Sequence, residues 1–239
     1  MIDRTLSSYT SAGARASALS AVQTRVMNQV YLWMTLGLAL TGATGFFVAT
    51  TDGVKQVIFG NQIMFWGLVI AEVGLVFVIS GLINRLSAAA ATGLFFLYSA
   101  LNGLTLGAIF LVYSLGSIAG VFLITAGTFG IMSLYGITTK TDLTKIGNLL
   151  FMALIGIVIA AVVNIFIGSS VLSLIISVIS VIVFTGLTAY DAQRIKEMSA
   201  SALDGESEGK IAVLGALSLY LNFINLFLSL LRLFGSRDE

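Results

Sequence analysis

The 239-residue sequence predicts an all-α polytopic membrane protein, with seven transmembrane helices and the C-terminal helix central in the bundle. Three observations carry that prediction. Apolar residues make up 58% of the chain and charged residues 10%, more apolar surface than one soluble core can hide. The apolar residues gather into seven runs, each near the 20 or so needed to cross the hydrocarbon. The last run also carries a polar stripe, which must face protein or water, since lipid offers polar groups no partner.

Composition narrows the function. There is no cysteine and no histidine, which removes disulfides, thiol nucleophiles, histidine general bases and nearly every transition-metal site. No cofactor is expected, and an enzyme is not. Without proline, any helix irregularity has to arise at glycines or polar residues. The net charge of +1 and the lack of a basic block give no footprint for nucleic acid.

Taken in order, residues 1–28 form a polar, Ser/Ala-rich segment with Arg4, Arg15 and Arg25, read as a frayed cytoplasmic tail and not a signal peptide. Leu19, Val22 and Val26 recur at helical spacing, so an interfacial helix is the alternative. The transmembrane domain covers 29–235, and 236–239 is a polar C-terminal tail. Spans fall near 30–50, 63–83, 92–112, 117–137, 146–167, 171–189 and 211–234. The short connections Tyr113–Ser117 and Gly168–Ser170 make antiparallel hairpins of the third and fourth spans and of the fifth and sixth. Arg4, Arg15, Arg25, Arg85, Lys140, Lys145, Arg194, Lys196 and Lys210 sort to one side, and Lys55, Arg232 and Arg237 to the other. The positive-inside rule then puts the N-terminus in the cytoplasm and the C-terminus outside, unless the last segment is re-entrant.

The longest loop, from about Tyr190 to Lys210, contains Asp204, Glu206, Glu208 and Gly209, the opening of an EF-hand pattern. The pattern fails at its twelfth position, Gly215, where a bidentate Glu is needed, which leaves a solvated acidic loop. The pairs Gly103/Gly107 and Gly116/Gly120 have the spacing of close helix approach.

Ionisable groups inside spans are costly in lipid and so mark function or a buried partner. Glu72 lies in mid-span, with Arg85 thirteen residues on, about 20 Å of helix and about 220° of rotation away. Those two should not share a site, and as a structural residue Arg85 is a positive-inside anchor. Asp191 ends the sixth span, one turn before Arg194, as either an interfacial carboxylate or a functional one. In the last span Ser218, Asn222, Asn225, Ser229 and Arg232 fall within an arc of about 80°. They form either an interhelical hydrogen-bonding face or one wall of an ion pathway.

Thr188–Met198, Gly215–Leu221, Phe223–Phe227, Leu230–Arg232 and Met132–Gly136 carry a resemblance that spans nearly the whole chain: the sequence is similar to the bacterial branch of the Bax inhibitor family of transmembrane proteins. The resemblance implies a seven-helix bundle around its last helix and a pH-sensitive calcium leak. In the family pattern two facing aspartates on the last two helices share a proton and interact with an arginine ending the second helix. Residue by residue this falls on Asp191 and Arg85, which should then be able to meet. The last-helix aspartate is replaced by Asn222, within Leu219–Asn225. Glu72 resembles a second-helix carboxylate of some members.

Two close carboxylates titrate as a coupled pair, and an amide removes that coupling. The expected function is therefore a pH-sensitive calcium leak with a weakened or shifted pH response. It would handle calcium ions and protons, with no tight metal site but transient calcium near Asp191, in contact with the bilayer and with possible membrane-protein partners. The alternative is a non-conducting regulator that binds other membrane proteins, of the stress or cell-death suppressor type. Contact between Asp191 and Asn222 requires the sixth helix to project beyond the membrane, or the seventh to begin below its edge.

Overall fold

The computed structural model describes residues 2–237, with side chains from Ser17 to Arg237. Its elements are α1 (Ile2–Thr50), α2 (Asp52–Phe59), α3 (Gln62–Leu82) closed by a 3-10 turn at Ile83–Arg85, α4 (Ala88–Leu106) continued by α5 (Ile109–Val112), α6 (Leu115–Thr138), α7 (Thr144–Ile167), α8 (Ser170–Ser199) and α9 (Gly205–Phe234). Seven helical segments among the described residues are long and apolar enough to cross a membrane, so this is a multi-pass helical membrane protein.

The breaks between helices follow from side chains that satisfy exposed helix ends. Asn61 accepts from the Ile63 and Met64 N–H groups, and Ser87, Ser114 and Ser169 each accept from the third residue of the helix they start. Gly168 ends α7 at φ 67°, a left-handed conformation that costs glycine nothing. These caps build the two predicted hairpins.

The first helix differs from expectation. Residues 2–28 continue α1 without a break, so the frayed-tail reading is corrected. Ala- and Ser-rich sequence is helix-permissive although too polar to be read as a span. Val26 is fully buried and Val22 packs on the same core, whereas Leu19 remains exposed. The Arg4 and Arg15 side chains lie outside the described residues.

Contacts define two ends of the bundle. At one, Arg25 pairs with Glu208 at 2.8 Å, Glu206 accepts from the Ala88 N–H at 2.8 Å, and Lys196 donates to the Ile137 carbonyl at 2.8 Å. At the other, the Ser114 N–H donates to the Ser236 carbonyl and the Ser236 N–H to Ser117 Oγ. Helix α9 therefore runs from one end of the bundle to the other.

The acidic segment is shorter than expected, because α8 continues to Ser199 and α9 starts already at Gly205. Asp204 caps α9, accepting from the Ser207 N–H at 2.8 Å, and hydrogen bonds from the Ser207 side chain and backbone hold its carboxyl below the usual carboxylate range. A lowered folded-state value means the cap is in place above the ordinary aspartate range and is lost as pH falls through it. Asp204→Ala should lower the unfolding temperature at pH 7 and narrow the gap from the native chain toward pH 3, read by thermal unfolding in detergent.

The last helix is the most deeply packed, with 67% of its apolar window buried against 39% or less in every other span. Its neighbours are α8, α1, α6, α4 and α3. Tyr220, Leu219, Leu226 and Ala216 have no exposed surface. Helix α7 packs on α8 and otherwise faces outward, with none of its window buried.

Gly103 and Gly107 let α4 approach α1: a Cβ on Gly103 would lie 2.5 Å from the Thr41 carbonyl oxygen, and one on Gly107 3.0 Å from Val48 Cβ. Gly116 and Gly120 meet nothing within 4 Å, which corrects the expectation that they serve a close helix contact.

Candidate functional site

Two polar sites lie on opposite sides of α9. Tyr220 and Asn222 are two residues apart, about 200° around the helix, so they face different neighbours.

On the first side, the Asn222 Nδ2 donates to Asp191 Oδ2 at 2.7 Å. Asn222 is buried and Asp191 partly so. The longer α8 and the early start of α9 bring the two residues to one level, as their contact requires. An amide donor to one carboxylate oxygen leaves the other free for a cation or a proton. Among the described residues no three carboxylates converge on a common point, and Asp191 stands alone as an acidic group beside Asn222.

Arg85 is not brought to this pair. It sits exposed in the 3-10 turn after α3 and makes no hydrogen bond or ion pair among the described residues. The expectation that it meets Asp191 is corrected: sharing an end of the bundle does not set position around it. The positive charge that acts on Asp191 comes from Arg194, three residues further along α8.

The rest of the stripe behaves differently from an interhelical ladder. Asn225 donates to the Leu221 carbonyl at 2.8 Å and Ser229 to the Asn225 carbonyl at 2.7 Å, both within α9 itself. Ser218 is half-buried one turn before Asn222. Arg232 is exposed and lines a polar cavity of about 580 Å³ together with Arg237, Asn164 and Ser173. Only Asn222 links the stripe to another helix through a side-chain hydrogen bond among the described residues.

On the other side of α9, Glu72 is 8% exposed and both of its oxygens are engaged. The Asn102 amide donates to Oε2 at 2.9 Å and Thr105 Oγ1 to Oε1 at 2.9 Å. Asn102 Oδ1 accepts in turn from the Tyr220 hydroxyl at 2.9 Å, and that hydroxyl lies 2.6 Å from Thr41 Oγ1. One chain of hydrogen bonds thus joins α3, α4, α9 and α1. Fully satisfied, such a network fixes helix register, because any slip leaves polar groups unpaired in an apolar interior.

Tyr220, Asn102, Thr105 and Thr41 are absent from the residues singled out by sequence. Tyr220 counts as apolar in a hydropathy scan, yet a buried tyrosine hydroxyl requires a partner. The usable signal is an asparagine in mid-span, Asn102, which is as unusual in lipid as Glu72.

With this geometry in place, comparison with known proteins fixes the lineage. Residues 23–239 match the family model described as "Inhibitor of apoptosis-promoting Bax1". The chain is 53% identical over 213 residues to the inner membrane protein YbhL of Escherichia coli (strain K12), covering 88% of this chain and 91% of that one. It is 46% identical over 217 residues to an uncharacterized protein of Borreliella burgdorferi, covering 90% and 94%. It is 41% identical over 219 residues to the uncharacterized protein RP147 of Rickettsia prowazekii, covering 90% and 91%. A match over nearly the whole chain, in a protein with the helices and last-helix residues described above, places it in the Bax inhibitor family.

Proposed function

We propose that this chain is a proton-sensitive calcium leak of the bacterial inner membrane, with its N-terminus in the cytoplasm. The observation that carries the reading is the Asp191 carboxylate, held by Asn222 between two long apolar helices. A carboxylate in such a place is costly unless it is paired or used. Oxygen is the ligand a calcium ion prefers, and a single carboxylate is too poor a cage to trap it, which suits passage over storage.

Protonation changes what Asp191 can do. Ionised, it accepts the Asn222 N–H; neutral, it becomes a donor, and Asn222 must present its carbonyl oxygen instead. Both states keep one hydrogen bond, so the closed packing survives on either side of the titration. The pattern of two aspartates implied by family resemblance has no such neutral partner, because each carboxyl group there responds to the charge of the other. The pH response of this chain is therefore weaker than that of a paired site, or displaced from it.

The sidedness follows the positive-inside rule: the end that holds Arg25, Arg194, Lys196 and Lys210 faces the cytoplasm. The relative's own name, an inner membrane protein, supports that membrane.

Calcium flux from reconstituted vesicles tests the reading. Asp191→Ala should change the flux by about tenfold, the effect of roughly 1.4 kcal/mol on a barrier, while Arg85→Ala leaves it unchanged. Flux indifferent to Asp191→Ala would favour a non-conducting regulator that acts by binding other membrane proteins.

A further inference from the structure

A further cavity lies on neither side of α9 that holds a polar site. It is a groove of about 700 Å³ between α1 and α6, floored by Phe129 and Phe223 and walled by Leu38 and Phe122. Small residues make it: Ala39 and Gly42 on α1, and Ala126 and Gly130 on α6. A Cβ at Gly42 or Gly130 meets nothing within 4 Å, so these glycines leave open space instead of admitting a neighbouring helix. Exposed Gly42, Gly130 and Leu134 open the groove toward the surrounding hydrocarbon.

A second cavity, of about 400 Å³, continues from it and shares Tyr31 and Ile137. Its chemistry is different: Gln23, Thr24, Asn28 and Lys196 line it. Tyr31 and Ser133 hydrogen-bond across the boundary between the two. Lys196 donates to the Ile137 carbonyl at 2.8 Å and makes no ion pair among the described residues. No carboxylate lines either cavity.

We propose that this paired groove holds one anionic phospholipid of the bilayer, an acyl chain along the α1–α6 stretch and the headgroup phosphate at Lys196. Three features of the groove converge on that occupant. The apolar part opens to lipid, whose chains fill any gap there. The polar part lies at the end of the bundle where Arg25 pairs with Glu208 and Gln23 donates to the Lys196 carbonyl. The one charged group lining the two cavities is a cation with two ammonium protons to spare, and its complement is a phosphate. The site stands apart from Asp191, so it does not depend on the calcium reading.

Native mass spectrometry of the delipidated full chain, titrated with phosphatidylglycerol or phosphatidylcholine, tests the proposal. One phosphatidylglycerol should be retained, with about fivefold preference over phosphatidylcholine, the effect of one basic group near the surface. Lys196→Gln should keep one lipid and lose the preference. Gly130→Phe and Gly42→Phe should each lose retention while unfolding near the native temperature, since a Cβ at either position meets nothing within 4 Å and the ring enters open space. Equal retention of the two lipids would overturn the proposal, as would retention intact in both filled variants. Glycerol 3-phosphate competing as well as the lipid would reduce the site to an anion pocket. A dimer that Gly130→Phe dissociates would make the groove an interface between copies.

Discussion

Gly136→Val is expected to be among the most damaging single substitutions in the bundle, lowering stability by about 3 kcal/mol. A Cβ at Gly136 would overlap the Ala189 carbonyl oxygen and lie 2.8 Å from the Ala189 carbonyl carbon. Both are backbone atoms of α8, so no rotamer change relieves the overlap, and α6 and α8 have to separate. Ala189 precedes Asp191 by two residues, so the displacement also reaches the hydrogen bond to Asn222. Thermal unfolding in detergent checks this, with Gly116→Val as the companion. Gly116 has no neighbour within 4 Å and its variant should unfold close to the native temperature. Similar losses in the two variants would contradict the packing described for α6.

Asn102→Leu should have a comparable effect by a different route, costing about 3 kcal/mol. The replacement is nearly isosteric, so little of that cost is volume. It removes the donor to Glu72 Oε2 and the acceptor of the Tyr220 hydroxyl, leaving Oε2 unpaired in the interior and the hydroxyl with Thr41 Oγ1 alone. The double variant Glu72→Leu with Asn102→Leu should recover part of the loss, because the unpaired carboxylate oxygen is then absent. Unfolding midpoints of the native chain, the two single variants and the double variant form the cycle that measures it. A double variant that loses the full sum of the singles would show that the two side chains do not act as a unit.

Hydropathy is a one-dimensional signal, and it revealed what is one-dimensional. The seven spans and the two tight hairpins follow from run length and from the turn residues at Ser114 and Gly168. The sort of charges onto two ends also matches the contacts, since Arg25 meets Glu208 at one end and Ser236 meets Ser117 at the other. What failed depends on angle around the bundle. Arg85 and Asp191 belong to the same end, yet nothing in the sequence says which helices are neighbours there, and α3 and α8 are not among the paired ones. Gly116 and Gly120 carry the spacing of a close contact on a face that no helix covers.

Element ends misled in a related way. A hydropathy window measures preference for lipid, not helicity, so it truncated α1, α8 and α9 where polar residues begin. That truncation placed Asp191 and Asn222 at different depths, and the extra turns of α8 and α9 bring them level. The Glu72 chain was half legible. The carboxylate is conspicuous in the run Ile70–Val73, whereas Tyr220 passes for an apolar residue until its hydroxyl is asked for a partner.

Calcium flux from vesicles across pH 5 to 8, native chain beside Asn222→Asp, tests the proposed role of the Asp191 site most directly. The substitution keeps side-chain size and turns a carboxylate–amide pair into two facing carboxylates, which titrate as a coupled unit. Asn222→Asp is expected to show a steeper pH dependence than the native chain, or one displaced from it, with the two proteins unfolding at similar temperatures. Superimposable pH profiles would contradict it.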